Sequence, residues 1–191
     1  MVIPVPELAL SDIAGVDAVL FGKLPAHGDF VARGLSAREQ DLWDQGLSRA
    51  LGSARALWGE TFEERYARAP PWRYLLRAND TWLAGALAPS LDRAGRLFPI
   101  MIGVRGYMPD QGPGFAAGCE DLLYQAIAAR WKADELHERA TRLPALAAVA
   151  PVDEGWWLDG AAALADPPAT LPGFLPADLL IAIIAVTEQL S

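Results

Sequence analysis

Three extended runs stand close together in the middle of this chain: 72-WRYLLRA-78, 81-TWLAGALAP-89 and 97-LFPIMIGVRG-106. Parallel neighbours in a sheet need crossovers of a dozen or more residues, and these gaps are far too short for one. The three runs therefore predict antiparallel pairing. Asn79 and Asp80 suit a tight turn between the first two. The segment 89-PSLDRAG-95 separates the second from the third, and the stretch from Pro109 to Gly114 closes the block. An earlier apolar run, 18-AVLFG-22, reads as a buried strand. A later one, 155-GWWLDG-160, is long enough for a single further strand.

Helical patterns lie on both sides of this block. The segment 36-SAREQDLWDQGLSRALGSARALWG-59 opens with Ser36 and Glu39 at the spacing of a capping box. Trp43, Leu47, Ala50, Leu51, Ala54 and Trp58 then fall on one helical face. Gly46 and Gly52 oppose the helix by about 1 kcal/mol each. A shorter helix is expected over 60–69, ended by Pro70 and Pro71. Two more are expected over 114–131 and 133–149, and a last apolar one over 177–190. Phe115, Cys119, Leu122, Leu123, Ala126, Ile127 and Trp131 mark the buried stripe of the third helix. Residues 1–16 read as an irregular lead-in. The proline-dense 166-DPPATLPGFLP-176 reads as a connector, because proline lacks the amide a helix needs. Helices flanking strands on both sides predict one domain over residues 1–191: a three-layer α/β/α sandwich with a largely antiparallel or mixed central sheet.

Composition narrows the function. Apolar residues make up 52% of the 191-residue chain, enough for a core of this size and too many for disorder. A net charge of −8 gives no general attraction for phosphate backbones, so nucleic acid is not an expected partner. The charge is uneven: residues 62–105 hold seven arginines against Glu63, Glu64, Asp80 and Asp92. That basic centre is either a solvated sheet edge or a docking face for an acidic partner. Cys119 is the only cysteine, which excludes an internal disulfide and fits a reducing compartment. The first fifteen residues lack the basic start of a signal peptide. The apolar run 179-LLIAIIAV-186 is about half of a membrane span. A cytoplasmic protein without membrane insertion is expected.

The residue types bear on three kinds of chemistry. A hydrolase would take His27 as base, Asp29 or Asp92 as its orienter and Ser90 as nucleophile. Ser90 lies in 88-APSLDR-93, however, without the G-x-S-x-G elbow that presents a nucleophile. A zinc site needs three or four clustered ligands, whereas His27 and His137 are remote and His137 sits in the charged 134-DELHERA-140 as a surface histidine. No metal is expected. The loop 22-GKLPAHGDFVARG-34 has glycines and Lys23 but matches neither phosphate-loop pattern, so no cofactor is expected. In 89-PSLDRAGRLFPI-100, Asp92 and Arg96 read as an internal pair that pins the turn, as part of a docking face, or as both.

Two of these segments carry a resemblance. Gly22, Lys23, Pro25, Gly28, Asp29 and Phe30 match a G-K-x-P-x-x-G-D-F pattern. Pro89, Ser90, Asp92, Gly95, Arg96, Phe98 and Pro99 match P-S-x-D-x-x-G-R-x-F-P, about 60 residues later. In that order the two motifs resemble the TagF (ImpM) family of bacterial type VI secretion-associated proteins, over roughly residues 18–106. The resemblance implies an α/β/α sandwich with no catalytic residues. It also implies a cytoplasmic accessory role, usually a restraining one, linked to the forkhead-associated scaffold protein of the secretion system. The motif residues are then expected to lie on one face, with Lys23, Asp29, Asp92 and Arg96 setting its polar pattern. The alternatives are a hydrolase using His27, Asp29 and Ser90, and a structural subunit of the secretion machine.

Overall fold

The computed structural model describes residues 16–78, 81–106, 109–144, 154–158 and 174–189. Its centre is a six-stranded sheet. The strands are β1 (Asp17–Gly22), β2 (Val31–Arg33), β3 (Trp72–Ala78), β4 (Thr81–Ala88), β5 (Ile100–Arg105) and β6 (Gly155–Trp157), in the order β2-β1-β5-β4-β3-β6. Every pairing is antiparallel, as the short gaps between the extended runs require. The Asn79–Asp80 turn lies outside the described residues, but the register Ala78↔Thr81 brings the strands on either side of it into direct opposition.

Alternation along the strands divides the core in two. Val19, Phe21, Trp72, Tyr74, Leu76, Leu83, Leu87 and Met101 point to one face. Ala18, Leu20, Leu75, Ala84, Ala86, Ile100, Ile102 and Val104 point to the other. The first face is covered by α1 (Ala37–Trp58), α2 (Phe62–Arg68) and α5 (Leu179–Gln189), the second by α3 (Gly112–Ala128) and α4 (Ala133–Thr141). The expected three layers are present, with a wholly antiparallel sheet among the described residues.

Local rules account for most element boundaries. Ser36 Oγ accepts the Glu39 amide at 3.3 Å, while Glu39 Oε2 accepts the Ser36 amide at 2.8 Å, completing the capping box of α1. Gly46 has a positive function: a Cβ there would lie 2.5 Å from Leu175 Cδ1, so glycine admits the 174–176 segment against the helix. Three expectations change. Residues 31–33, read as loop, form the edge strand β2. The helix expected over 133–149 ends at Thr141, and 145–150 lie outside the described residues. His137, read as a surface histidine, is half-buried, with Nε2 donating to the Ala18 carbonyl at 2.9 Å. The lead-in over residues 1–15 and most of the proline-dense connector, 166–173, also lie outside the described residues.

Candidate functional site

The two motif loops are one structure. The first leaves β1 at Gly22, where φ is +135° and a Cβ would fall 2.1 Å from the Pro99 carbonyl. Only glycine lets the first loop lie this close to the second. The second loop folds on itself through a Leu91–Leu97 bridge, with the Gly95 amide donating to the Asp92 carbonyl at 2.9 Å. Gly95 closes this turn at φ +84°.

Asp92 ties the loops together. Its side chain is fully buried, and all of its acceptor capacity is used. Oδ1 takes the amides of Ala94 and Arg96 at 2.9 and 3.0 Å. Oδ2 takes Lys23 Nζ at 3.1 Å and Arg96 Nε at 2.7 Å. Burial alone would raise the pKa of this carboxyl. The Arg96 amide, the Lys23 ammonium, the Arg96 guanidinium and the Ala94 amide overcome that and hold it well below the usual carboxylate range. Arg96 Nη2 continues to the Gly28 carbonyl at 2.6 Å, and the Arg93 amide donates to the His27 carbonyl at 2.7 Å. Of the two readings of Asp92 and Arg96, the internal pair is what the structure contains.

Half of the polar pattern expected on one face is therefore turned inward, while Asp29 and Arg96 remain exposed. Lys23 is buried along with Asp92. Asp29 is exposed and accepts only the next amide, Phe30 N, at 2.8 Å among the hydrogen bonds found. What the loops display is Phe30, 45% exposed, stacked on Phe21 at 5.8 Å and edge-on to Phe98 at 4.8 Å. Lys23 Nζ lies 5.0 Å from the Phe30 ring centroid, so the buried ammonium also steadies the exposed aromatic.

His27, Asp29 and Ser90 do not form a relay. His27 Nε2 accepts the Ala133 amide at 2.9 Å, supplying a cap that α4 lacks from its own Lys132. This requires a neutral ring. Burial and the Arg33 guanidinium lower the His27 pKa, helped by Lys132 and Arg93 and opposed by Asp134. The Ser90 backbone is clamped by a buried phenol: Tyr66 Oη accepts the Ser90 amide at 3.1 Å and donates to the Ser90 carbonyl at 3.2 Å. Ser90 Oγ is buried and makes no hydrogen bond among the described residues. Pro25, Pro89 and Ser90 line a cavity beside the loops with Tyr66, Ile127 and Arg130. Among the described residues no group of three histidine, cysteine or acidic side chains could hold a metal ion, and no helix is long and apolar enough to cross a membrane.

Sequence reasoning missed three participants: Tyr66, Arg130 and the α4 terminus. Each reaches the loops from a distant part of the chain and makes its contact largely through backbone groups, which leave no pattern in side-chain identity.

An α/β/α domain with an antiparallel sheet, and two loops locked by a buried carboxylate between two cations, is the class that fold and site define. The chain belongs to the TagF family: the TagF N-terminal domain, type VI secretion system-associated, matches residues 19–143. Among solved structures, the crystal structure of PA0076 from Pseudomonas aeruginosa PAO1 is similar, with a TM-score of 0.59 and 23% identity over 91% of this chain and 77% of that one. At that identity the likeness shows a shared fold. No curated protein matches the chain.

Proposed function

We propose that this chain is a non-enzymatic accessory factor of a bacterial type VI secretion system. It acts in the cytoplasm after translation, restraining the apparatus by binding one of its components, with the forkhead-associated scaffold as the partner the family resemblance suggests. The observation that carries the reading is the interlocked loop pair. The buried pair of Lys23 and Asp92, joined from the solvent side by Arg96, spends its charge on holding backbone in place, and the result is a preformed surface bearing Phe30. Preformed surfaces lose little conformational freedom on association, which favours specific docking over chemistry.

Charge reversal at Lys23 would test folding rather than docking, because Lys23 is buried. The informative changes are Phe30→Ser, Arg93→Glu and Lys132→Glu, all at exposed positions. Folded variants are expected to lose affinity capture of secretion components from cells, and to release secretion output from restraint. Folded variants that retain both capture and restraint would overturn the reading.

A further inference from the structure

Beside the loop pair runs a groove that the docking surface around Phe30 does not include. One part, about 370 Å³, is lined by Pro25, Tyr66, Leu91, Leu97 and Ile127, with Ser90 and Arg130. A second part, about 260 Å³, shares Pro89, Ile127 and Ala128 with the first and extends to Pro71 and Tyr124. The shared residues make the two depressions one elongated channel between the end of β4, α2 and the C-terminal end of α3. Its rim leaves Leu91 37% and Tyr124 54% exposed.

Two features mark this groove as built for an occupant. Ser90 is 6% exposed and lines it, yet the buried Oγ has no hydrogen-bond partner among the described residues. A buried hydroxyl left unpaired costs about 1–3 kcal/mol, which an incoming donor or acceptor would recover. Arg130 stands at the same end in a left-handed conformation, φ +53°, unusual for any residue but glycine. Only its Nη2, donating to the Pro25 carbonyl at 2.9 Å, is engaged in the hydrogen bonds found. The guanidinium therefore keeps donors for a carboxylate.

Arg130 is the one charged residue among the described residues lining the two depressions, and the charges around them differ from end to end. At the Arg130 end, the 23–29 loop and its neighbours carry Lys23, Arg33, Arg93, Arg96, Arg130 and Lys132 against Asp29, Asp92 and Asp134, a local +3 on a chain of net −8. At the other end Tyr124 is faced by Glu120 and Asp121, with Arg73 paired to Glu120 at 2.6 Å. An occupant must therefore be apolar along its length and anionic at one end only.

Deepening the functional reading above, on which it rests for the existence of a protein partner, we infer that this groove takes an extended segment of that partner. Its apolar side chains lie over Pro89 and Ile127, its carboxylate pairs with Arg130, and a polar group meets Ser90 Oγ. An occupant that spans both depressions, which share Pro89, Ile127 and Ala128, is better matched by a peptide strand than by a compact metabolite.

The test uses the whole protein and three blocked peptides, acetyl-Leu-Ser-Leu-Asp-amide and its counterparts ending in asparagine or lysine, followed by backbone amide shifts. The aspartate peptide is expected to move the amides of Leu91, Leu97, Ile127 and Arg130. The asparagine form should bind at least fivefold more weakly, and the lysine form should leave these amides in place. A charge-assisted hydrogen bond of about 1.5–3 kcal/mol corresponds to roughly a tenfold or greater loss in Arg130→Gln. Ser90→Ala should raise the unfolding midpoint, since it removes a buried hydroxyl that bonds to nothing in the free protein, and weaken the aspartate peptide about fivefold. No shifts at the groove, three peptides binding alike, or undiminished binding by Arg130→Gln would each overturn the inference. The functional reading fails separately, if secretion components are captured and restrained regardless of Phe30, Arg93 and Lys132.

Discussion

Asp92 shows how one residue can look like a catalytic acid and serve as a rivet. Its carboxylate is fully buried, and four donors from two loops converge on it. An ionised group in that setting has its pKa depressed on folding. The stability it contributes is therefore present above the ordinary carboxylate range, near pH 4, and is lost as pH falls through the lower folded value. Asp92→Asn should consequently be destabilised most at neutral pH, with the gap to wild type closing as the solution is acidified. Urea unfolding at pH 7, 5 and 3 measures this, and a gap that widened toward acid would contradict it. The motif made Asp92, Arg96 and Lys23 visible in the sequence. The burial of Lys23 and Asp92 was not visible, because it depends on how the two loops pack on each other, and Arg96 stays exposed while reaching in to Asp92.

At the level of elements, α1 was legible almost to the residue. Its capping box and apolar stripe are local in sequence, and local interactions decide helix ends. Its two glycines looked equivalent and are not. Gly46 lies against Leu175, whereas a Cβ on exposed Gly52 would meet nothing within 4 Å. Gly52→Ala should therefore stabilise the protein by about 1 kcal/mol, the helix-propensity difference. Gly46→Ala should lose that gain to the clash and be net destabilising, and thermal unfolding of the pair distinguishes them. The edge strand β2 was missed for the opposite reason. Its three residues carry too little pattern to be read, and pairing with β1 through Leu20↔Arg33 and Gly22↔Val31 is what makes them a strand. A third element-level contact reaches across 66 residues: Glu39, already in the capping box, also receives Arg105 Nη1 at 2.7 Å, fastening the start of α1 to the end of β5.

Across the whole molecule, His27 joins the first motif loop to the helical layer on the second sheet face. The ring nitrogen that accepts the Ala133 amide must be unprotonated, and the folded pKa is lowered. The stability from this contact is then present above the usual histidine range, near pH 6.5, and declines as pH falls through the lower folded value. His27→Gln, whose side-chain carbonyl can accept the same amide, should flatten the wild-type fall in urea midpoint between pH 7 and 5. An unchanged slope would remove His27 as its cause. The same scale explains the glycines of the central strands. Gly85 and Gly103 face each other in the register of β4 and β5, and a Cβ on either would come within 2.6 Å of Tyr74 Oη, which donates to the Ile102 carbonyl at 2.9 Å. A tyrosine from β3 lies across a glycine window in its own sheet, and that window exists only after three strands have assembled.

The sequence by itself determined the layers, the antiparallel sheet, the capped first helix and the family. Those follow from periodicity, gap length and motif spacing, which are properties of neighbouring residues. The tertiary structure alone decided what the motif residues do. It turned Lys23 and Asp92 inward, left Phe30 outward, gave His27 to a helix terminus, and set Ser90 unpaired beside Arg130. Each outcome depends on which backbone groups a distant segment brings near, and carbonyls and amides are the same at every position of the chain. Side-chain identity can announce that two loops matter; only their packing settles which charges remain for a partner.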